Sequence, residues 1–210
     1  MRIQLLVVFD SEDWPFWCKL YLCYSAYSKR KREKIELSRE IHTITPVFDE
    51  HSRILILGSF PSVKSREACF FYGHPQNRFW KVLAGVFEKP VPQTIPEKKV
   101  FLLEHRVAVW DVIASCDIEG SSDSSIKNVI PNDVNRILEA AQIGQVFVNG
   151  KKAEQLYNRY LKDAVGREAV CLPSTSPANA AWSLEKLVNA WWEAILQNGK
   201  NHPANLQKCT

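Results

Sequence analysis

The apolar positions of this chain fall into short unbroken runs separated by longer stretches of helical period. "RILILG" (Arg53–Gly58) is a continuous apolar run closed by glycine, the pattern of a strand buried on both faces. "RVAVWDVI" (Arg106–Ile113) contains a second such strand, "QVFVNG" (145–150) is a third, and the apolar part of "EAVCLPSTSPANA" (168–180) is a fourth. Between them, "RFWKVLAGVF" repeats Phe79, Trp80, Leu83, Val86 and Phe87 at helical spacing. "NDVNRILEAAQ" opens on a capping residue and sets Val134, Ile137, Leu138 and Ala141 on one face. "KKAEQLYNRYL" predicts a helix carrying Ala153, Leu156, Tyr157, Tyr160 and Leu161. "SLEKLVNAWWEAILQ" predicts a closing helix with Leu184, Leu187, Val188, Trp191, Trp192 and Ile195 along one stripe. "SCDIEGSSDSSIKNVIPND" (115–133) reads as a long polar connection.

Strands alternating with helices predict a parallel sheet covered on both faces, with any ligand beyond the carboxyl ends of the strands. Three polar clusters directly follow predicted strands: Gly58–Ser62, Asn149–Lys152 and Pro173–Asn179. They are therefore expected to converge on one site. Residues 1–40 differ from the rest: they mix aromatics with the basic run "KRKREK" without a lasting period, and read as an N-terminal extension ahead of a domain at 41–198. Residues 199–210 read as a flexible tail.

The convergent loops carry distinctive chemistry. Phe70, Phe71 and Tyr72 offer flat faces beside the amides Asn77 and Asn149, a combination suited to a nucleobase, stacked by the rings and read by the amides. Asn also serves turns and caps, and at least one of the three aromatics is expected in the core. His74 is a hydrogen-bonding scaffold or an acid–base group. Ser174, Thr175 and Ser176 suit phosphate contacts, and Lys64, Arg66, Arg78, Lys81, Lys151 and Lys152 lie where a basic rim would form.

Composition narrows this further. The 210 residues carry a net charge of +4, which permits an anionic partner without demanding one. Cys18, Cys23, Cys69, Cys116, Cys171 and Cys209 are scattered, with no C-x2-C pair, so a reducing compartment is expected and a zinc or iron–sulfur site is not. Cys171 reads as a buried thiol. No apolar stretch is long enough to span a membrane and no secretory leader is legible, so a cytoplasmic protein is expected.

The blocks "LILGSFPSVKSREACFFYGHPQNRFWKVL", "SSIKNVIPND", "VFVNGKKA" and "LPSTSPANA", in order between about Ile41 and Gln197, resemble the hypoxanthine-DNA glycosylase branch of the uracil-DNA glycosylase superfamily. The resemblance implies a three-layer α/β/α sandwich around a central four-stranded parallel sheet. It implies monofunctional hydrolysis of the N-glycosidic bond of a deaminated base, hypoxanthine foremost, flipped out of damaged DNA by a monomer with no cofactor or metal. By that resemblance Asn77 holds the attacking water. Ser59, Phe60 and Asn149 bind the base, and Phe71 or Tyr72 stacks on it. Ser62, Lys64, Lys151, Ser174, Thr175, Ser176 and Asn179 contact the DNA backbone or fill the gap in the duplex.

One departure from the wider superfamily matters. Many relatives place Asp or Asn in the turn after the first strand, whereas Gly58-Ser59-Phe60-Pro61-Ser62 holds neither carboxylate nor amide. A uracil or G·T mismatch glycosylase and a catalytically silent damage-binding protein are the alternatives. A plain nucleotide-binding module is disfavoured, because no Gly-rich phosphate loop is present.

Overall fold

The computed structural model describes residues 38–197. In chain order the elements are β1 (Ser38–Ile41), β2 (Ile54–Gly58), α1 (Val63–Glu67), α2 (Phe79–Val86), α3 (Ile95–Glu104), β3 (Val107–Asp111), β4 (Ile113–Ile118), β5 (Lys127–Pro131), α4 (Asn135–Ala140), β6 (Gln145–Asn149), α5 (Lys151–Tyr160), α6 (Lys162–Val165), β7 (Ala169–Leu172) and α7 (Leu184–Trp192). The strand opening at Ser38 lies partly inside the 1–40 stretch. The basic run and the tail read from the sequence fall outside the described residues.

The four apolar runs form one parallel sheet in the order β3-β2-β6-β7. Leu55, Ile56 and Leu57 are all 0% exposed, so the central strand is covered on both faces. Each such side chain contributes roughly 1.5–3 kcal/mol by leaving water. Right-handed crossovers put α2 and α3 on one face and α4 and α5 on the other, because the chain leaves β2 toward β3 and then returns past it to β6 and β7. Helix α7 packs on α2, where Phe79 meets Trp191 edge-on with ring centroids 5.8 Å apart. The Trp191 indole donates to the carbonyl of Pro173 at 2.9 Å, tying the last helix to the loop that leaves β7. This is the three-layer α/β/α arrangement that the resemblance implies.

Residues 115–133 are not a plain polar connection. β4 and β5 lie there and form an antiparallel sheet in the order β1-β4-β5. Ile113, Cys116 and Ile118 face inward while Asp117 stays half-buried. The alternation is short and broken by bulges, and its partner β1 is 74 (Ile41 to Ser115) to 80 (Ser38 to Ile118) residues away in sequence, so local pattern carries little signal. Helices α1 and α3 also went unread, although Thr94 and Glu97 form a full capping box at the start of α3. Leu184 and Trp192 are 40% and 41% exposed, so the stripe on α7 is narrower than its spacing predicts. Cys171 is only half-buried, because β7 is an edge strand.

Candidate active site

The carboxyl ends of all four parallel strands meet at one cavity of about 300 Å³. β2 contributes Gly58 and the turn Ser59–Ser62, β3 ends in Asp111, β6 ends in Asn149, and β7 leads into Ser174, Thr175 and Ser176. Phe71, Tyr72, His74 and Asn77 close another side. The volume sits at the small end of ligand pockets, which run from roughly 300 to 1,000 Å³.

The two amides are cross-linked through one buried hydroxyl. Thr175 is 0% exposed. Its Oγ1 accepts from Asn149 Nδ2 at 2.9 Å and donates to Asn77 Oδ1 at 3.0 Å, while its backbone N–H donates to Asn149 Oδ1 at 3.0 Å. Asn77 Oδ1 also accepts from the Phe79 N–H at 3.0 Å, which starts α2. Asn77 thus holds the first N–H of its helix and lines the cavity at once. With its oxygen held by two donors, the group it has left to offer a ligand or water is its Nδ2.

A carboxylate forms the floor. Asp111, 4% exposed, pairs with Gly58 in the β2–β3 ladder and accepts from His42 Nε2 at 2.8 Å through its Oδ2. His42 Nδ1 accepts from the Ile44 N–H at 3.2 Å, so the proton on Nε2 points at Asp111. β1 delivers His42, whose own N–H donates to the Ala114 carbonyl at 2.7 Å. The buried amide of Asn132 holds the backbone on either side, donating to the Asp111 and Ile113 carbonyls at 2.9 and 3.0 Å. Tyr72 stacks on Phe79 at 3.7 Å, and its buried hydroxyl has no hydrogen-bond partner among the described residues. Burial first, and the charge of Asp111 second, push this phenol far above its usual range, and the nearby Asn149 amide offsets that only in part.

A second carboxylate overhangs the mouth. Asp123 Oδ1 accepts from Ser59 Oγ at 3.0 Å, and Ser121 Oγ accepts from the Val63 N–H at 2.9 Å, so the segment after β4 docks on the turn after β2. Asp123 itself is solvent-exposed. Desolvation by the surrounding wall raises its carboxyl above the ordinary value, with Asp111 adding, and with Ser59 and Lys152 opposing. The turn Gly58–Ser62 therefore lacks a carboxylate of its own and receives two from other segments.

The match to the uracil DNA glycosylase superfamily model runs over residues 45–196, which covers the whole parallel sheet and every cavity residue. The chain belongs to this superfamily. Two similar proteins named hypoxanthine DNA glycosylase come from Methanosarcina acetivorans, 35% identical over 72% of this chain and 95% of the relative, and from Methanosarcina barkeri, 34% identical over 71% and 94%. A solution NMR structure of a candidate uracil DNA glycosylase from Methanosarcina acetivorans superposes with a TM-score of 0.61 at 34% identity, covering 75% of this chain and 96% of that one. As a member of this superfamily, the protein has DNA as its substrate, and no helix among the described residues is long and apolar enough to cross a membrane.

In this glycosylase the residues expected from the sequence divide. Ser59, Phe60, Phe71, Tyr72, Asn77, Asn149, Ser62, Ser174 and Ser176 all line the cavity. Thr175 lines it too, but as the fully buried link between the amides, whereas Ser174 and Ser176 beside it are half-buried. One face of Tyr72 is already occupied by Phe79, and Phe71 is 2% exposed with His42 near its ring, so each has limited surface left for stacking. Ser62 caps α1 by accepting from the Ser65 N–H. Lys64 and Lys151 lie outside the cavity wall and pair with Glu67 and Glu154 at 2.7 and 2.8 Å. His74 Nδ1 accepts from the Gln76 N–H at 3.2 Å, the scaffold role.

Arg78 is not a free rim cation. Its guanidinium donates to the carbonyls of Ser176 and Asn179 at 2.8 and 2.9 Å, to that of Trp182, and from Nε to that of Thr175 at 3.5 Å. Asn179 Nδ2 adds a bond to the Ser174 carbonyl at 2.9 Å. A half-buried fork thus holds the loop after β7 in shape. Arg78→Lys is expected to lower stability by about 2 kcal/mol, roughly 4–8 °C in Tm for a chain of this size, because one ammonium cannot span these acceptors. A thermal melt checks it, and an unchanged midpoint would remove the clamp from the account.

Asp111, His42, Asp123 and Asn132 escaped the sequence reading. Asp111 ends the buried run "VAVWD" as Asn149 ends "QVFVN", so a polar residue closing an apolar run is the signal that marks it. No local signal marks His42, whose role depends on β1 pairing with β4.

Proposed function

We propose that this protein is a monofunctional DNA glycosylase that releases deaminated bases, hypoxanthine foremost, from nucleotides flipped out of DNA, and so starts base excision repair. The observation that carries this reading is the convergence of four strand ends on a cavity walled by Phe60, Phe71 and Tyr72 and furnished with the Asn77–Thr175–Asn149 amide link. The likeness to relatives named hypoxanthine DNA glycosylase supports the same base. No lysine lines the cavity among the described residues, which fits attack by water rather than by an amine.

In the reaction the bond from C1′ to the base nitrogen breaks, and its electron pair leaves with the base. Water oxygen adds to C1′, one of its protons passes to solvent, and the departing base takes up a proton. The sugar cation is electrophilic enough that the water needs placement more than deprotonation. Asn77 supplies placement through Nδ2, the part of its amide that Thr175 and Phe79 leave unoccupied. The backbone amides at Ser59 and Phe60, with Asn149, bind the base. Ser174, Ser176 and the rest of the loop that Arg78 braces face the DNA. The scattered cysteines support work in a reducing compartment, the cytoplasm.

Purified full-length protein incubated with labelled duplexes carrying one deoxyinosine, deoxyuridine or deoxyxanthosine, followed by alkali, checks the reading. Strand breaks chiefly at deoxyinosine are expected. Breaks chiefly at uracil would reassign the base. Tight lesion binding without base release would leave a damage-binding protein.

A further inference from the structure

A second cavity, of about 380 Å³, lies between β5 and α5, outside the site already described. Both of its walls start from the mouth of the first. β5 opens four residues after Asp123, and Lys152 stands three residues after Asn149. Lys152 lines the second cavity, and its charge is felt at Asp123 in the first. From there α5 presents Gln155, Leu156, Arg159 and Tyr160 along one face, so the groove runs away from the mouth down the helix.

Its charge is of one sign. Lys127, Lys152 and Arg159 line the groove, and no carboxylate does among the described residues. The ion pairs among those residues leave all three without a partner. Asp117 stands opposite Lys127 in the β4–β5 ladder, but Arg39 and the Asn128 amide engage it. The cations nearer the mouth are spoken for. Lys64, Arg66 and Lys151 pair with Glu67, Glu40 and Glu154, and Arg78 braces the loop after β7. The groove is also held in shape. The Arg159 guanidinium lies over the Tyr160 ring, 5.2 Å from its centroid. Asn128 turns the β5 wall with φ +48°, and its carbonyl accepts from Arg39 Nη1 at 2.7 Å.

We infer that this groove is a second DNA-binding surface, holding successive backbone phosphates of the duplex on one flank of the flipped nucleotide. The inference rests on the glycosylase reading, which puts the flipped nucleotide at the mouth, and carries the contact beyond it. The cations are strung out rather than convergent, which suits a polyanion and not a small one. Lys152 and Arg159 are about 10 Å apart along the helix axis at 1.5 Å per residue. That equals about three nucleotides at 3.4 Å of duplex axis per nucleotide of one strand. Between the cations, Ile126, Val129 and buried Leu156 offer an apolar floor to the sugars. Gln155 adds an amide that can donate to a phosphate oxygen.

The test reads binding separately from base release. Wild-type protein and the triple variant Lys127→Gln/Lys152→Gln/Arg159→Gln are titrated with a duplex carrying one uncleavable 2′-fluoro-deoxyinosine. The triple variant is expected to bind about tenfold more weakly or worse, and its slope of log affinity against log salt is expected to fall by about two to three. Arg159→Gln alone changes an exposed side chain, keeps the fold in hand, and is expected to lower that slope by about one. Lys89→Gln/Lys99→Gln removes two cations outside the groove and is expected to bind within about threefold of wild type.

Trimming the duplex locates the contact. Removing the base pairs beyond the lesion on one side is expected to cost wild-type protein about tenfold, and on the other side much less. The triple variant is expected to be indifferent to the costly trimming, because its groove already holds nothing. Wild-type affinity in the triple variant, an equal loss in the Lys89/Lys99 control, or a triple-variant loss that persists whichever flank is trimmed would each overturn the inference and leave the glycosylase reading intact. Absence of base release from deoxyinosine by wild-type protein, with these binding differences present, would fell the functional proposal and not the groove.

Discussion

Gly58→Ala is expected to abolish base release, with single-turnover excision falling more than about 10³-fold, and to destabilise the fold by about 3 kcal/mol. The reason is a collision. A methyl group on Gly58 lies 2.1 Å from Asp111 Oδ1, and neither backbone can retreat. Gly58 and Asp111 are paired in the ladder, the Gly58 carbonyl accepts from the Val112 N–H at 2.9 Å, and the Ser59 carbonyl accepts from the Ile113 N–H at 3.2 Å. The carboxylate must then rotate, which parts it from His42 and leaves a buried charge without its partner. Glycine is required here for the space it leaves, not for an unusual backbone angle. Thermal melts of Gly58→Ala alone and combined with Asp111→Gly separate the causes. The double variant is expected to regain most of the stability and none of the activity. Gly58→Ala retaining excision within about tenfold of wild type would show that the floor tolerates the methyl group.

Asn77→Ala is expected to slow base release by about 10²–10³-fold while leaving the affinity for an uncleavable lesion duplex within about threefold, the signature of a group that acts on the reacting atoms. The truncation also strands the Thr175 hydroxyl and the Phe79 N–H, which costs about 1–2 kcal/mol of stability. Asn77→Asp isolates the chemistry, because its oxygens still accept from both donors while the Nδ2 donor is lost. Equal slowing in the two variants would place the effect at Nδ2. Full activity in Asn77→Asp would mean that a carboxylate oxygen places the water as well as Nδ2 does. Undiminished activity in Asn77→Ala would shift water placement to another group at the mouth, with Asp123 and Ser59 the first to test.

The strands β2, β3, β6 and β7 and the helices α2, α4, α5 and α7 were legible along the chain, because each is made by local pattern. A strand covered on both faces must be apolar at every position, and a helix packed on a sheet must repeat its apolar residues every three to four positions. The parallel order followed from alternation, and the location of the site followed from the rule that strand carboxyl ends gather ligands. The motif blocks marked Asn77, Asn149 and the loop after β7 for the same reason: each lies within a few residues of a strand end or helix start that the pattern had already located.

Pairing at a distance decided the rest. β1 and β4 are too short and too irregular to declare themselves; β1 is a strand only because β4 pairs with it, and β4 because β1 and β5 flank it. That pairing brings His42 to Asp111, 69 residues away. Arg78 reads as one more cation until the loop after β7 folds over it, about a hundred residues later, and takes its hydrogen bonds. Thr175 reads as an exposed phosphate contact until the two amides enclose it. The chain's own periodicity determines which segments are buried and where the strand ends lie, since burial is a property of a segment. Which polar atom is satisfied and which is left to meet a base depends on partners from elsewhere in the chain, and only their assembly in three dimensions settles it.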